Sequence, residues 1–276
     1  MAFRETIPGV WQSGVGRRPS LVMLHGWGGT GPANFGFAAE VLSRDWHVTA
    51  VDLAGHGHGT RLASGEVSVG DLAADVDDRL SAVGVSAPSV IVGYSLGGAV
   101  AQQMWLDYPQ RVSGLVLAAT AAKLSPTPVA CVALHGWAAT TGVTGPLWGA
   151  VGAGVRTVLR LGANRGFDVT NMSGVGEHNG PAVQMLARGV ANFNSTKWIG
   201  GVDVPVGVLV CKNDRLVPTH RQHQLAKLVA ADTVVEVPGG HLGFLRHPKL
   251  FAAAFRQLTR TVQDLSLYAN DHSVLI

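Results

Sequence analysis

A serine set among glycines, in Val90-Ile91-Val92-Gly93-Tyr94-Ser95-Leu96-Gly97-Gly98-Ala99, is the part of this 276-residue chain whose residue types and spacing speak most directly of chemistry. The β-branched residues before Gly93 suit a buried strand, and Leu96, Val100 and Met104 recur at helical spacing as far as Tyr108-Pro109. Ser95 therefore falls on a sharp turn between strand and helix. Glycines two residues to either side leave room for that turn to pack closely and project the hydroxyl. A glycine-rich chain, here with 36 glycines, also produces this five-residue pattern by accident as an ordinary turn, so its weight comes from partners.

A serine hydroxyl is a weak nucleophile at its free pKa, so it needs a general base, and the base needs a group that fixes its tautomer. Of eleven histidines, His241 is placed best, in Pro238-Gly239-Gly240-His241 directly after a strand-like run ending at Val237. In an open parallel sheet the loops at the carboxyl ends of the strands share one crevice, which brings this loop towards Ser95. Val208-Leu209-Val210-Cys211-Lys212-Asn213-Asp214 offers Asp214 as the acid, with capping of a turn as its plainer role. The rival position, after the run Val112 to Leu117, holds Ala118, Ala119 and Thr120 instead. A tetrahedral oxyanion needs preorganised donors, and we expect the backbone N–H groups of Trp27, in Leu24-His25-Gly26-Trp27-Gly28-Gly29, and of Leu96 to provide them.

These positions need a scaffold of alternating strands and helices. Leu21 to Leu24, Val48 to Val51, Val90 to Val92, Val112 to Leu117, Val206 to Val210 and Val234 to Val237 read as strands. Helices are expected over Ala33 to Arg44, from Ser68 to near Gly84, after Ser95, over Thr219 to Val229 and from Pro248 to about Val262. Asp75, Asp77 and Asp78 then form the solvated face of the second of them. The alternation implies an α/β fold with a mostly parallel sheet and helices on both faces, joined by right-handed crossovers.

From Lys123 to about Lys197 the pattern lapses into a stretch rich in Gly, Ala and Trp and poor in charge. We read 123–197 as an inserted, mostly helical cap, 1–122 and 198–265 as the core, and 266–276 as a tail without interpretable signal. Trp137, Trp148, Met172, Met185 and Phe193 are available to line a pocket, or equally to form the cap's own core. Trp27, Tyr94 and Leu242, beside the proposed chemistry, are further candidates for substrate contact.

Apolar residues make up 47% of the chain and charged residues 14%, which fits a compact globular protein rather than a disordered one. A net charge of +3 without a basic stripe excludes the usual footprint of a nucleic-acid binder. Cys131 and Cys211 have no metal or redox spacing and are expected to be buried free thiols. His56 and His58 have no carboxylate or thiol cluster beside them, so a hydrogen-bonded turn is expected there rather than a metal. Gly55-His56-Gly57-His58-Gly59 is not a dinucleotide fingerprint, and no cofactor is expected. No apolar h-region and no eighteen-residue apolar run occurs, from which we expect a cytoplasmic protein with no transmembrane segment, homodimerisation being left open.

With these residues in place the chain resembles the α/β-hydrolase fold superfamily across nearly all of 20–260. The resemblance rests on the His25-Gly26-Trp27-Gly28-Gly29 loop, Asp52-Leu53-Ala54-Gly55-His56-Gly57, the Ser95 turn, and Asp214 and His241 in the order Ser, Asp, His. It implies an eight-stranded, mostly parallel sheet, a cap inserted after the sixth strand, and first strands before Leu21, at Arg4 to Ile7 and Val10 to Gln12. His58-Gly59-Thr60 departs from the small residue usual near that point, and the cap carries no motif that names a substrate subfamily.

The expected function is hydrolysis of an ester or thioester of an apolar acyl group through an acyl-enzyme, with a small-molecule substrate. Acyl transfer or perhydrolysis by the same triad, carbon-carbon bond hydrolysis with Arg188 as the polar cap residue, and a non-catalytic binding role are the alternatives. Because the base must be neutral to accept the serine proton, activity is expected to decline below about pH 6.5, where an ordinary imidazole protonates. A rate profile flat from about pH 5 to 8 would contradict a histidine base.

Overall fold

The computed structural model describes residues 3–14, 18–62, 67–124, 186 and 189–273. Within it the short apolar runs of the inner strands acquire two buried faces, while the edge run Val234 to Val237 leaves Val234 exposed. In β3 (Ser20–Leu24), Leu21 and Met23 enter one core while Val22 and Leu24 enter the other. Val90 and Val92 alternate with Ile91 in the same way in β5 (Ser89–Tyr94), as a period of two requires.

The sheet has eight strands in the order β1-β2-β4-β3-β5-β6-β7-β8. Its first two, β1 (Arg4–Ile7) and β2 (Val10–Ser13), lie where the resemblance puts them and pair antiparallel to each other, and β2 runs antiparallel to β4 (His47–Val51). All remaining pairs, through β6 (Val112–Ala118), β7 (Val206–Cys211) and β8 (Thr233–Val237), are parallel. Register aligns Leu24 with Gly93, Tyr94 with Ala118, and Cys211 with Val237, so the chain leaves these strands along one edge of the sheet.

One core lies between the sheet and α2 (Val69–Ala82), α3 (Leu96–Asp107) and α4 (Thr219–Leu228). The other is closed by α1 (Gly31–Leu42), α5 (Gly243–Arg246) and α6 (Pro248–Ser273), with Phe35 of α1 edge-on to Phe255 of α6 at 6.0 Å. Truncating either fully buried ring to alanine would cost about 3–5 kcal/mol.

Three expectations need correction. Helix α1 begins two residues before Ala33, because Thr30 caps it by accepting from the Ala33 N–H and Asp52 Oδ1 accepts from the Gly31 N–H at 2.7 Å. The α2 aspartates do not form one solvated face. Asp77 is paired with Arg111, and Asp75 accepts from Thr60, its carboxyl pushed above the usual carboxylate range by burial. The turn carrying Thr60 and the segment carrying Arg111 cover that flank, which helical periodicity alone does not reveal. Helix α6 runs on to Ser273 rather than ending near Val262. Its buried positions thin out beyond Val262, and Leu267 and Tyr268 are exposed, so the apolar period fades while the helix continues.

After β6 the chain reaches Lys123, which forms an antiparallel bridge with Asn194, while the Ser195 N–H donates to the Ala122 carbonyl at 2.7 Å. Departure and return of the intervening segment are therefore pinned side by side. Ser195 Oγ also donates to Gln102 of α3 at 2.6 Å. Trp137, Trp148, Met172, Met185, Arg188 and Cys131 lie outside the described residues. Phe193 is buried edge-on against Trp198, which stacks on Trp105, so it serves the core.

Candidate active site

Ser95 joins β5 to α3 with φ 54° and ψ −113°, a left-handed conformation that costs a non-glycine residue of order 1–3 kcal/mol. Backbone bonds hold it there: its N–H donates to the Ala118 carbonyl at 2.9 Å, and its carbonyl accepts from Thr120 Oγ1 at 2.8 Å and from the Gly98 N–H at 2.9 Å. The glycines two residues to either side are required by space. A Cβ on Gly93 would stand 2.3 Å from the Gly97 carbonyl oxygen, and one on Gly97 would stand 2.0 Å from that of Leu24. Thr120, in the position where a rival acid would have stood, thus props the serine turn instead.

His241 reaches back over the sheet from the loop after β8. Its Nε2 lies 2.9 Å from Ser95 Oγ, and its Nδ1 lies 2.8 Å from Asp214 Oδ2. A carboxylate has no proton to give, so Nδ1 carries the hydrogen, and Nε2 is left to accept from the serine hydroxyl. Asp214 is presented by a left-handed turn at Asn213 (φ 63°), and its side chain is wholly buried. Its two oxygens divide the roles weighed from sequence. Oδ1 caps the turn, accepting from the N–H groups of Leu216 at 2.9 Å and Val217 at 3.0 Å, while Oδ2 faces His241. The side chain of Gln222, which sequence reasoning passed over, donates a second bond to Oδ2 at 3.0 Å.

The loop after β3 lies against the serine, since a Cβ on Gly26 would stand 3.2 Å from Ser95 Cβ. The Gly26 carbonyl is held from two sides, by His25 Nδ1 at 2.8 Å and by the Gly29 N–H at 3.1 Å. That fixes the peptide plane joining Gly26 to Trp27, with the Trp27 N–H pointing opposite to the carbonyl. Leu96 opens α3, in the first turn where N–H groups lack intrahelical acceptors.

His25 is fully buried, and its Nε2 accepts from the Leu53 N–H at 2.8 Å, so its ring is neutral with the proton on Nδ1. Burial holds its pKa below the ordinary value, against the opposing pull of Asp52. A histidine depressed in the fold contributes stability above the unfolded value, about 6.5, that is lost as pH falls towards the folded pKa. We expect urea midpoints to drop between about pH 7.5 and 5.5, and His25→Asn to flatten that dependence. An equal slope in both proteins would contradict this role.

Tyr94 does not line an open pocket. It is buried, its ring stands 5.7 Å from that of His241 and 5.5 Å from that of Phe244, and its hydroxyl donates to the His241 carbonyl. The strand's alternation turns it under the histidine loop. Leu242 is 55% exposed beside His241, and Trp27 is half-buried, edge-on to His56 at 6.1 Å. Cys211 is a buried free thiol as expected, and burial pushes its pKa up to about 12, which keeps it protonated and unreactive. His56 is buried near the Ala54 carbonyl and His58 pairs with Glu5; among the described residues no cluster of three metal-ligating side chains occurs.

A hydrogen-bonded Ser-His-Asp arrangement at the carboxyl edge of a mostly parallel eight-stranded sheet is the geometry expected of the α/β-hydrolase fold. Residues 19–141 match the family model of the alpha/beta hydrolase fold. The chain is 27% identical over 270 residues to a pimeloyl-[acyl-carrier protein] methyl ester esterase of Aliivibrio fischeri, covering 91% of this chain and 97% of that one. It is also 27% identical over 256 residues to a pyrrolizixenacetamide deacetylase of Xenorhabdus hominickii, covering 87% and 91%. A hydrolase of Pseudomonas aeruginosa superposes with TM-score 0.75 at 22% identity, covering 93% of this chain and 97% of that one. The enol-lactonase of Burkholderia xenovorans gives TM-score 0.71 at 20% identity over 90% and 95%. Over nearly its whole length the chain thus has the α/β-hydrolase fold.

Proposed function

We propose that this protein cleaves an ester or thioester of an apolar acyl group by way of an acyl-enzyme on Ser95. The observation that carries the reading is the unbroken relay from Ser95 Oγ through His241 to Asp214 Oδ2, at 2.9 and 2.8 Å. In it His241 Nε2 takes the hydroxyl proton as Ser95 attacks the carbonyl carbon, then returns it to the leaving alcohol or thiol. Asp214 keeps the proton-bearing nitrogen turned away from the serine and stabilises the imidazolium. The N–H groups of Trp27 and Leu96 receive the oxyanion, the first aimed by the pinned Gly26 carbonyl. Water then repeats the attack on the acyl-enzyme with the same base.

The segment 123–197 acts as the cap in this reading, supported by the pinned departure at Lys123 and return at Asn194, with 1–122 and 198–265 as the core. Its low charge and its tryptophans support an apolar acyl group. Relatives that bear the names of a methyl ester esterase and a deacetylase support cleavage at an acyl carbon. No helix among the described residues is long and apolar enough to cross a membrane.

A fluorophosphonate probe tests the assignment together with p-nitrophenyl esters of graded chain length. We expect one adduct, located on the Ser95 peptide by mass spectrometry, and turnover that rises with acyl length before the pocket is filled. A protein that neither labels at Ser95 nor hydrolyses any ester of the series would refute the proposal.

A further inference from the structure

Gln222 lies on α4 with its amide fully buried on an apolar face that also carries Leu225, Ala226 and, just beyond the helix, Val229. Both ends of the amide are used. Oε1 accepts from the Cys211 N–H at 2.9 Å, while Nε2 donates to the Val217 carbonyl at 2.7 Å and to Asp214 Oδ2 at 3.0 Å. A backbone N–H can only donate and a carbonyl can only accept, so these two neighbours fix which way the amide faces. The consequence is that Asp214 Oδ2 receives two donors, Gln222 Nε2 and His241 Nδ1.

We propose that Gln222 is a positioning residue of the relay: it holds Oδ2 against the imidazole, and by sharing that oxygen's charge it tempers how strongly Asp214 favours the imidazolium. The proposal rests on the reading of Ser95, His241 and Asp214 as a catalytic triad. It gives the amide a role that a leucine of the same face could not fill, since a second donor on a carboxylate lowers the pull of that carboxylate on its partner.

The other titratable groups around the pair leave this role to the amide. Tyr94 and Cys211, which face Asp214 from β5 and β7, are neutral, since burial raises the phenol well above its usual range and the thiol to about 12. Arg215 and His220 are exposed, His223 pairs with Glu236, and Arg246 of α5 is exposed. His247 lies beyond Gly239, within reach of a Cβ there at 3.5 Å.

The test uses Gln222→Leu and Gln222→Glu in the full chain, with rates of p-nitrophenyl ester hydrolysis normalised to the fraction labelled by the fluorophosphonate. Loss of a donor to a charged oxygen is expected to lower kcat about tenfold in Gln222→Leu with KM little changed. The acid limb of kcat/KM is expected to move up by about half a unit, because the unshared charge on Oδ2 favours the imidazolium. Gln222→Glu conserves the volume and the Cys211 bond, and its carboxyl shares a proton with Asp214, so a further ionisation absent from the wild type should enter the profile. A Gln222→Leu protein with wild-type kcat and profile per labelled site overturns the proposal. So does a Gln222→Glu profile superimposable on the wild type, which decides the matter even where the leucine variant fails to fold. Wild-type protein that neither labels nor turns over would instead bring down the triad reading itself.

Discussion

Ser95→Ala is expected to lower kcat for ester hydrolysis by at least about 10⁴-fold and to abolish fluorophosphonate labelling, while the fold melts close to the wild-type temperature. The separation of these effects follows from how the turn is held. The N–H and carbonyl of Ser95 bond to Ala118, Thr120 and Gly98, and its backbone sits at φ 54°. Alanine keeps every one of those bonds and the same Cβ. What disappears is the hydroxyl 2.9 Å from His241 Nε2. Turnover within about tenfold of wild type, measured on protein of the same melting temperature, would place the nucleophile elsewhere.

Asp214→Asn is expected to cost about 10⁴-fold in kcat with the fold preserved. The wild-type carboxylate accepts four hydrogen bonds, from Leu216 and Val217 on Oδ1 and from Gln222 and His241 on Oδ2. An asparagine that keeps its oxygen on the two backbone donors must turn its NH₂ towards Gln222 Nε2 and His241 Nδ1. Donor then meets donor. The imidazole escapes by moving its proton to Nε2, and the serine loses the acceptor for its own proton. Labelling at Ser95 should slow in proportion to kcat. A variant that labels and turns over at the wild-type rate would reduce Asp214 to the turn-capping role that its Oδ1 performs.

How much of this was legible beforehand depended on whether a signal was local. The strands with two buried faces, the capped start of α2 at Ser68 and the glycines around Ser95 are written in neighbouring residues, because burial, capping and close backbone approach act over one turn or one strand. Asp214 and His241 were legible for the same reason, each following a strand through turn-forming residues. Gln222 carried one faint sign, a polar residue within the buried stripe shared with Leu225 and Ala226, but nothing in that stripe says whom it meets. Tyr94 misled in the opposite direction. An aromatic next to the serine suggests a pocket wall, yet the pleat of β5 turns it inward against Phe244.

The sequence by itself therefore determined the class of fold, the order of its elements and the side chains of the proposed relay, since these follow from periodicity, turn chemistry and residue type. Only the tertiary structure decided which groups meet across long separations in the chain. The partition of the two oxygens of Asp214, the pinning of the Gly26 carbonyl by His25, the seat of Tyr94 beneath the His241 loop and the donor from Gln222 are of this kind. Such contacts hang on sheet register and on how each helix packs, where a shift of one residue exchanges the faces of a strand and no local pattern carries the answer.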